Sequence, residues 1–344
     1  MERILAIQIK RIGDLILTAP ALSRLRQARP DAHITLVTMG AAGQLVSAIP
    51  AVDTHFSYRY QRPNLPLWGN LLTDRYDTVL DFNGTDRSAF MTWMTRANQR
   101  VTYTKRAQGF WREQTYTQTS NAKLRPFHTV DHMCALLDAI GVPSTTGLDS
   151  TAPLSLAIPE PVQHRVDDLL AQKGLDGPFA VVHPGTARLE KYWKADRWAE
   201  VIRECSDGGR QLSCVITGGT DPDETRHLDE IIAHLKSTGS NAPLVLAGQL
   251  SLLETAAVIR RATLALGVDT AAMHLASAFQ IPQVVLFGPT NPFHWRPRHP
   301  EARIILSGHE GVMTDTDYTM RLEERSMDAI QLAQVIKAID TLAK

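Results

Sequence analysis

The stretch ILAIQIKRIGDLILTAPALSRLRQARPDAHITLV, residues 4–37, decides the fold class. The apolar run Ile4–Ile9 predicts a buried strand, and the glycine and aspartate that follow it predict the start of a helix reaching about Ala28. The Pro30-Asp31 turn and the run His33–Val37 predict a second strand. A strand, a helix and a strand in this order are the unit from which parallel sheets are built.

The same alternation continues along the chain. Thr78–Phe82 predicts a further strand, and the amphipathic stretch Asp131–Ile140 predicts a helix that stops at Gly141. Residues 142–162 contain four prolines and predict an interdomain linker. In the second half, strands are expected at Phe179–His183, Leu212–Thr217, Leu244–Leu246, Leu264–Val268 and Gln283–Phe287. Helices are expected near 196–206, 222–236, 252–261, 270–279 and 327–342. We therefore predict an α/β protein of two doubly wound domains that face each other across a cleft.

The composition excludes several classes of protein. With 344 residues and 44% hydrophobic residues, the chain is neither disordered nor fibrous, and its length suggests two domains. Its three cysteines form no CxxC pair, which argues against a disulfide scaffold and a zinc ribbon. No apolar run reaches the length of a membrane span, so we expect a cytoplasmic protein. The GxGxxG, P-loop, HExxH and GxSxG signatures are absent from the sequence.

The net charge of zero conceals an asymmetry between the two halves. Residues 1–150 hold 17 Lys and Arg against 12 Asp and Glu, whereas residues 151–344 hold 19 against 24. In the segment 87–125, one acid accompanies eight basic residues: Arg87, Arg96, Arg100, Lys105, Arg106, Arg112, Lys123 and Arg125. This basic segment predicts an anionic partner for the first half, although a solvated surface with incidental charges is the alternative.

Two loops that follow predicted strands carry groups suited to chemistry. Asp14 lies beside a glycine at the start of a helix, where the helix dipole and the neighbouring Lys10 and Arg11 keep a carboxylate ionised and able to accept a proton. An ordinary helix cap is the alternative. After the strand ending at His183, a glycine, Thr186 and Lys191 provide groups that bind an anion such as a diphosphate, or they form an ordinary surface loop.

A third loop, Gly267 to Ala276, is the most informative. Asp269 and Thr270 lead into a helix whose first residues, Ala271 and Ala272, are small enough to leave its N–H groups accessible to a phosphate. Asp269 is better suited to accept hydrogen bonds from sugar hydroxyls, and His274 is a phosphate donor or a buried structural histidine. Two Asp-x-Asp pairs, at 221–223 and 315–317, are weak candidates for holding Mg²⁺.

Taken together, these loops resemble glycosyltransferase family 9, which includes the ADP-heptose:lipopolysaccharide heptosyltransferases. The matching stretches follow one another in order along nearly the whole chain. They are IGDLILTAPALSRLRQARPDAHITLV (12–37), DFNGTDRSA (81–89), HTVDHMCALLDAIGV (128–142), HPGTARLEKYWKADRWAEVI (183–202) and GVDTAAMHLASAFQIPQVVLFGPTNP (267–292).

The resemblance implies a GT-B fold of two Rossmann-like domains. Residues 1–160 would bind the acceptor, residues 161–326 would bind the nucleotide-sugar donor, and a C-terminal helix, 327–344, would pack back on the first domain. It also implies an inverting, metal-independent transfer of heptose from ADP-heptose to a lipopolysaccharide inner-core acceptor. No cofactor is implied, since the ADP-sugar is a substrate.

The resemblance also assigns roles to residues. Asp14 matches the family's proposed general base. The donor contacts implied are Thr186, Lys191, Asp221, Leu250, Asp269, Thr270, Ala271, Ala272 and His274. Lys10, Arg11 and Arg87 are candidates for contacts with an anionic glycolipid acceptor. Many family members carry a basic residue six positions before the motif aspartate, where this chain has Gln8.

Two alternatives stay open at this point: a GT-B transferase that uses another nucleotide sugar, and a non-catalytic protein that binds nucleotide sugars. We expect peripheral contact with the inner face of the membrane, because the first half is basic. We expect no nucleic-acid partner.

Overall fold

The computed structural model describes residues 1–123, 127–143, 156–207, 210, 212–320 and 325–342. The chain divides into two compact units, Met1–Ala157 and Ile158–Lys344. The predicted boundary after residue 160 lies close to this division. Residues 144–155, which make up most of the predicted linker, lie outside the described residues, as does Arg125 of the basic segment.

The first unit is a parallel six-stranded sheet with helices connecting its strands. Its strands are β1 (Arg3–Gln8), β2 (His33–Met39), β3 (Thr54–Tyr58), β4 (Thr78–Asp81), β5 (Gln99–Tyr103) and β6 (Gln118–Ser120). Its helices are α1 (Ile12–Ala28), α2 (Leu65–Thr73), α3 (Asp86–Met94), α4 (Thr104–Ala107), α5 (Phe110–Thr115) and α6 (Thr129–Cys134). Shorter 3₁₀ turns occupy Gly40–Ala48 and Leu137–Ile140. The strand order is β3-β2-β1-β4-β5-β6.

The second unit repeats this architecture. Its strands are β7 (Phe179–His183), β8 (Ser213–Ile216), β9 (Leu244–Val245), β10 (Leu264–Val268), β11 (Gln283–Phe287) and β12 (Ala302–Leu306). Its helices are α7 (Glu160–Gln172), α8 (Ala195–Ser206), α9 (Pro222–Ser237), α10 (Leu252–Arg261), α11 (Ala271–Ala278), α12 (Pro292–Trp295) and α13 (Leu332–Asp340). Further 3₁₀ turns lie at Leu189–Lys191 and Met327–Ala329. The order β12-β11-β10-β7-β8-β9 is that of the first sheet, read from the other side.

The central strands are apolar because helices cover them. Every residue of β10 and β11 is buried, as is every residue of β1 except Arg3. Such continuous apolar runs are typical of parallel strands. In each sheet the strand order reverses once, between β1 and β4 and between β7 and β10. Loops at the carboxyl ends of these strands form the usual ligand site of a doubly wound sheet. The predicted fold class, α/β with two Rossmann-like units, is confirmed.

The C-terminal helix contributes to the core of the second unit. α13 packs against α8, β11 and β12, and its buried residues Val335, Ala338 and Ile339 belong to that core. The predicted packing of residues 327–344 on the first unit stays a prediction. The strongly amphipathic helix completes the apolar cover of its own sheet. None of the helices in the described parts of the chain is long and apolar enough to cross a membrane.

Two buried histidines make stability depend on pH. His132 stacks on Tyr103 with 3.9 Å between ring centroids, and burial lowers its pKa to about 3. Burial likewise lowers the pKa of His299 to about 4. Both pKa values lie below the ordinary histidine value of 6.5. As the pH falls below 6.5, the unfolded chain therefore binds more protons than the folded chain, and the free energy of unfolding decreases.

We expect each of these two histidines to cost about 2 kcal/mol of folding free energy at pH 5 relative to pH 7. Urea unfolding at both pH values measures the loss. His132→Phe should reduce the pH dependence, whereas His164→Gln, a change at an exposed histidine, should not. An equal pH dependence in the wild type and His132→Phe would contradict the assignment.

Candidate functional site

The loop after β1 presents Asp14 in the first turn of α1. The N-cap of this helix is Arg11, and no side chain caps it. Asp14 is the third residue of the helix and not its N-cap residue, so the alternative of an ordinary helix cap is wrong. Its half-buried carboxylate lies where the helix dipole favours negative charge. Burial and then the charge of Arg106 lower the pKa of Lys10, whereas Asp14 acts to raise it. The loop thus places a carboxylate close enough to a partly desolvated cation to influence its pKa.

Gln8 and Asn83 hold this loop in position. The Asn83 side chain accepts a hydrogen bond from the Ile9 N–H at 2.6 Å and donates one to Gln8 Oε1 at 2.6 Å. Gln8 Nε2 donates to Thr18 Oγ1 at 2.8 Å, and that hydroxyl donates to the main-chain oxygen of Asp14 at 2.7 Å. The end of β4 is thereby tied to both β1 and α1. Gln8 is fully buried, so its side chain is used for positioning.

A second buried carboxylate shapes the turn that carries Asn83. Asp81 Oδ1 accepts hydrogen bonds from the main-chain N–H groups of Asn83 and Gly84, at 2.8 and 2.9 Å. Its Oδ2 accepts one from the Tyr116 hydroxyl at 2.6 Å. Burial raises the pKa of Asp81, against the effect of these hydrogen bonds. Gly84 has φ +55, and a Cβ there would lie 2.4 Å from Arg106 Cβ, so the turn requires glycine.

The basic segment serves the structure in part. Arg106 and Arg112 donate to the main-chain oxygens of Asn83 and Gly84, and Arg100 donates to that of Thr115. These three arginine side chains therefore stabilise loops. The charge pattern of the sequence did not indicate this structural role.

The three predicted acceptor contacts follow the two central strands of the first sheet. Lys10 and Arg11 lie on the loop after β1, and Arg87 lies in the first turn of α3, after β4. Because both strands are parallel, both loops lie at the same edge of the sheet as Asp14. Arg11 is exposed and Arg87 is half-buried against the rings of two tyrosines.

In the second unit, Lys191 and Asp269 form a buried ion pair. Lys191 Nζ donates to Asp269 Oδ2 at 2.6 Å and to the main-chain oxygen of Asp269 at 3.0 Å. Their side chains are only 11% and 8% exposed. Lys191 follows β7 and Asp269 follows β10, so the pair lies where the strand order of this sheet reverses. The sequence predicted that each residue contacts the donor separately, whereas the structure shows that the two residues form an ion pair with each other.

The start of α11 lies directly after this pair. Thr270 is its N-cap, but its side chain makes no capping hydrogen bond, and among the described residues its buried Oγ1 has no partner. The first N–H groups of α11, at the half-buried Ala271 and the buried Ala272, are thus not capped by a side chain. Thr186 and His274 are both buried. An uncapped helix start beside a lysine is suited to a phosphate.

A small open cleft of about 150 Å³ adjoins the loops after β7, β8 and β9. It is lined by Pro184, Gly185, Ile216, Thr217, Gly218, Gly219, Thr220, Glu224, Thr225, Leu228, Ala247 and Gly248. Glu224 Oε2 accepts a hydrogen bond from the Gly219 N–H at 2.6 Å. The sequence reasoning did not include Glu224, although a carboxylate five residues after the pair Gly218-Gly219 was a usable signal. A carboxylate near the second strand of such a sheet is suited to ribose hydroxyls.

Two predicted donor contacts are not part of this cleft lining. Asp221 is the N-cap of α9 and accepts a hydrogen bond from the Asp223 N–H at 3.0 Å, which is its structural role. Leu250 is half-buried on the loop before α10. The donor contacts predicted for Asp221 and Leu250 stay predictions.

The two Asp-x-Asp pairs serve local structure. Asp223 forms an ion pair with Arg226 at 2.5 Å, and Asp317 accepts a hydrogen bond from the Thr314 N–H at 2.6 Å. Within the described parts of the chain, no group of three or more His, Cys, Asp or Glu side chains could hold a metal ion.

Comparisons with known proteins match this chain over most of its length. Residues 65–325 match the sequence model of glycosyltransferase family 9 (heptosyltransferase). The lipopolysaccharide heptosyltransferase 3 of Escherichia coli is 25% identical over 342 residues, which cover 96% of each chain.

Solved structures share the fold. A glycosyltransferase family 9 protein from Veillonella parvula has a TM-score of 0.82 and 24% identity over 99% of this chain and 97% of its own. The E. coli ADP-heptose lipopolysaccharide heptosyltransferase II has a TM-score of 0.79 and 22% identity over 100% of this chain and 98% of its own. These likenesses confirm the GT-B fold class.

Proposed function

This chain belongs to glycosyltransferase family 9, and from that premise we propose that it transfers heptose from ADP-heptose to a lipopolysaccharide inner-core acceptor. The chain is a glycosyltransferase. The donor and acceptor are inferred from its relatives: one is named a lipopolysaccharide heptosyltransferase, and one structural neighbour is described as an ADP-heptose enzyme. The observation that carries the proposal is the buried pair of Lys191 and Asp269 beside the uncapped start of α11.

The donor diphosphate would lie at the start of α11. The first N–H groups of this helix and the Lys191 ammonium group offer hydrogen bonds and positive charge to phosphate oxygens. Asp269 would orient Lys191 and accept hydrogen bonds from the sugar, with Thr186, Thr270 and His274 as nearby polar groups. Glu224, in the adjoining cleft, would accept hydrogen bonds from the ribose.

The reaction would be a single displacement with inversion. The acceptor hydroxyl oxygen forms a bond to the anomeric carbon while the bond from that carbon to the ADP oxygen breaks, and ADP leaves with the electron pair. Asp14 takes the proton of the hydroxyl. Charge that develops on the leaving diphosphate is stabilised by Lys191 and the N–H groups of α11, so the transfer would need no metal ion.

The acceptor would bind to the first unit through its anionic groups. Lys10, Arg11 and Arg87 supply positive charge at the sheet edge that carries Asp14. We propose that the enzyme acts in the cytoplasm, in peripheral contact with the inner face of the membrane, where such an acceptor is anchored.

Calorimetric titration of the purified protein with ADP, UDP and GDP, each with and without EDTA, tests the proposed donor. We expect ADP to bind at least about tenfold more tightly than UDP or GDP, a difference of about 1.4 kcal/mol, and EDTA to leave this affinity unchanged. A preference for UDP or GDP would indicate a different donor. Binding that requires a divalent ion would overturn the metal-independent mechanism. Selective binding without release of ADP from ADP-heptose would favour a non-catalytic protein.

A further inference from the structure

Two neighbouring helices of the first unit, α2 and α3, expose large apolar side chains. On α2, Leu65 and Leu72 are 73% and 60% exposed, while Leu67 and Leu71 point into the core. On α3, Phe90 and Trp93 are 48% and 58% exposed. Both helices therefore have an outward apolar face in addition to the face that stabilises the fold. We call the surface formed by six side chains the aromatic face: Tyr60, Leu65, Trp68, Leu72, Phe90 and Trp93.

Trp68, which packs partly on the core, links the buried Tyr58 to the exposed Phe90 and Trp93. Trp68 lies between Tyr58 and Phe90, with centroid distances of 6.0 and 6.3 Å. Phe90 stacks on Trp93 at 6.1 Å. Single exposed apolar residues are ordinary, but a contiguous exposed apolar surface marks an interaction site.

Positive charge is interleaved with these rings. The Arg87 guanidinium lies 4.4 Å from the centroid of the Tyr60 ring and 5.5 Å from that of Tyr58. The exposed Arg59 and Arg62 flank Tyr60 on the loop that leads into α2. Asn64 fixes this loop, since its side chain bonds to the N–H and the main-chain oxygen of Arg59 at 2.7 and 2.9 Å. The loop thus presents an exposed tyrosine and two arginines on a defined backbone.

Two acidic side chains at the ends of α2 and α3, Asp74 and Asp86, have partners of their own. Asp74 accepts hydrogen bonds from Arg3 and Asn70, and Asp86 lies 3.4 Å from Arg112. The charge that the aromatic face presents to a partner is therefore predominantly positive.

We propose that the aromatic face docks the enzyme on the surface of an anionic phospholipid bilayer. Tyrosine and tryptophan rings favour the boundary between water and lipid, and arginines beside them are attracted to anionic headgroups. The loop at Tyr60 and the start of α3 lie at the sheet edge that carries Asp14, so docking would bring a lipid-anchored acceptor to that edge. This inference rests on the peripheral membrane contact in the proposed function and assigns that contact to particular residues.

Vesicle sedimentation tests the docking face. The wild type should bind vesicles of phosphatidylcholine with phosphatidylglycerol at least about tenfold more strongly than phosphatidylcholine alone, since exposed arginines respond to anionic lipid. The double variant Phe90→Ser/Trp93→Ser should lose about tenfold in binding to the anionic vesicles. Arg59→Gln/Arg62→Gln should lose about 30-fold. The control Met320→Ser, which removes an exposed apolar side chain of the second unit, should bind as the wild type does.

Two further measurements separate docking from folding and from catalysis. ADP titration of each variant should match the wild type, because the changed side chains are exposed and lie outside the donor site. Transfer to a deacylated, water-soluble acceptor should also be unchanged, whereas transfer to an acceptor in vesicles should fall with the loss of binding. Variant-sensitive vesicle binding in a protein without transferase activity would support the docking face while contradicting the proposed function.

Three results would overturn the inference. They are equal binding of the wild type to neutral and anionic vesicles, unchanged vesicle binding of Phe90→Ser/Trp93→Ser, and self-association of the wild type that this double variant abolishes without any effect of vesicles. The last result would assign the aromatic face to a contact between copies of this chain.

Discussion

Asp14→Asn should lower kcat by about 10³-fold and leave the affinity for ADP unchanged. Asparagine has nearly the shape of aspartate, so the loop held by Gln8, Asn83 and Thr18 keeps its hydrogen bonds, which use only the main-chain oxygen of residue 14. The amide cannot accept the proton of the acceptor hydroxyl, so only the chemical step is affected. Release of ADP from ADP-heptose measures the rate, and calorimetry with ADP measures the affinity.

The matched control for this variant is Asp31→Asn, at an exposed aspartate of the same unit, which should retain wild-type activity. A loss of less than about tenfold in Asp14→Asn would show that another group takes the proton. An equal loss of ADP affinity would instead indicate a distorted protein.

Lys191→Met should weaken ADP binding by about 50-fold, because it removes a charged hydrogen-bond donor to the diphosphate. It should also lower the free energy of unfolding by about 3 kcal/mol, since Asp269 would be left buried without a counter-charge. Calorimetry with ADP and urea unfolding measure the two effects separately.

The double variant Lys191→Met/Asp269→Asn distinguishes the two roles of this pair. Removing both charges should restore most of the folding stability and none of the ADP affinity. ADP affinity within about threefold of the wild type in Lys191→Met would exclude Lys191 as a diphosphate contact. Equal stability of the wild type and Lys191→Met would show that the ion pair is not essential to the second unit.

The sequence predicted the central strands of the second sheet well and missed the edge strands β3, β6 and β12, although it found the edge strand β9. β7, β10 and β11 have the predicted bounds because they are short apolar runs that helices cover on both faces. β5 and β6, with the sequences QRVTY and QTS, lie toward one edge of the sheet and carry polar residues, so no hydrophobic pattern marks them. α2 was missed because Pro66 and Gly69 interrupt its helical pattern.

The sequence predicted which residues could belong to the candidate site, but it did not predict which of them contact one another. Lys191 and Asp269 are separated by 78 positions, and only the strand order brings them together. Gln8 seemed to be a departure from a family pattern, whereas its side chain is a buried link to Asn83. The aromatic face could not be predicted, because Phe90 and Trp93 have the helical spacing that buried core residues also have. The structure shows that Met91 is the α3 residue in the core, whereas Phe90 and Trp93 are exposed.

The shared strand order also has a consequence for folding kinetics. At the reversal of each sheet, the paired strands are far apart in sequence: Ile4 pairs with Thr78, and Ala180 pairs with Leu264. Closing such long loops has a large entropic cost, which is offset only after the intervening strands and helices have become ordered. We therefore expect the two reversals to be among the last parts of each unit to assemble. A partly folded intermediate would lack both Asp14 in its final position and the Lys191–Asp269 pair, so nucleotide binding during refolding reports the completed second unit.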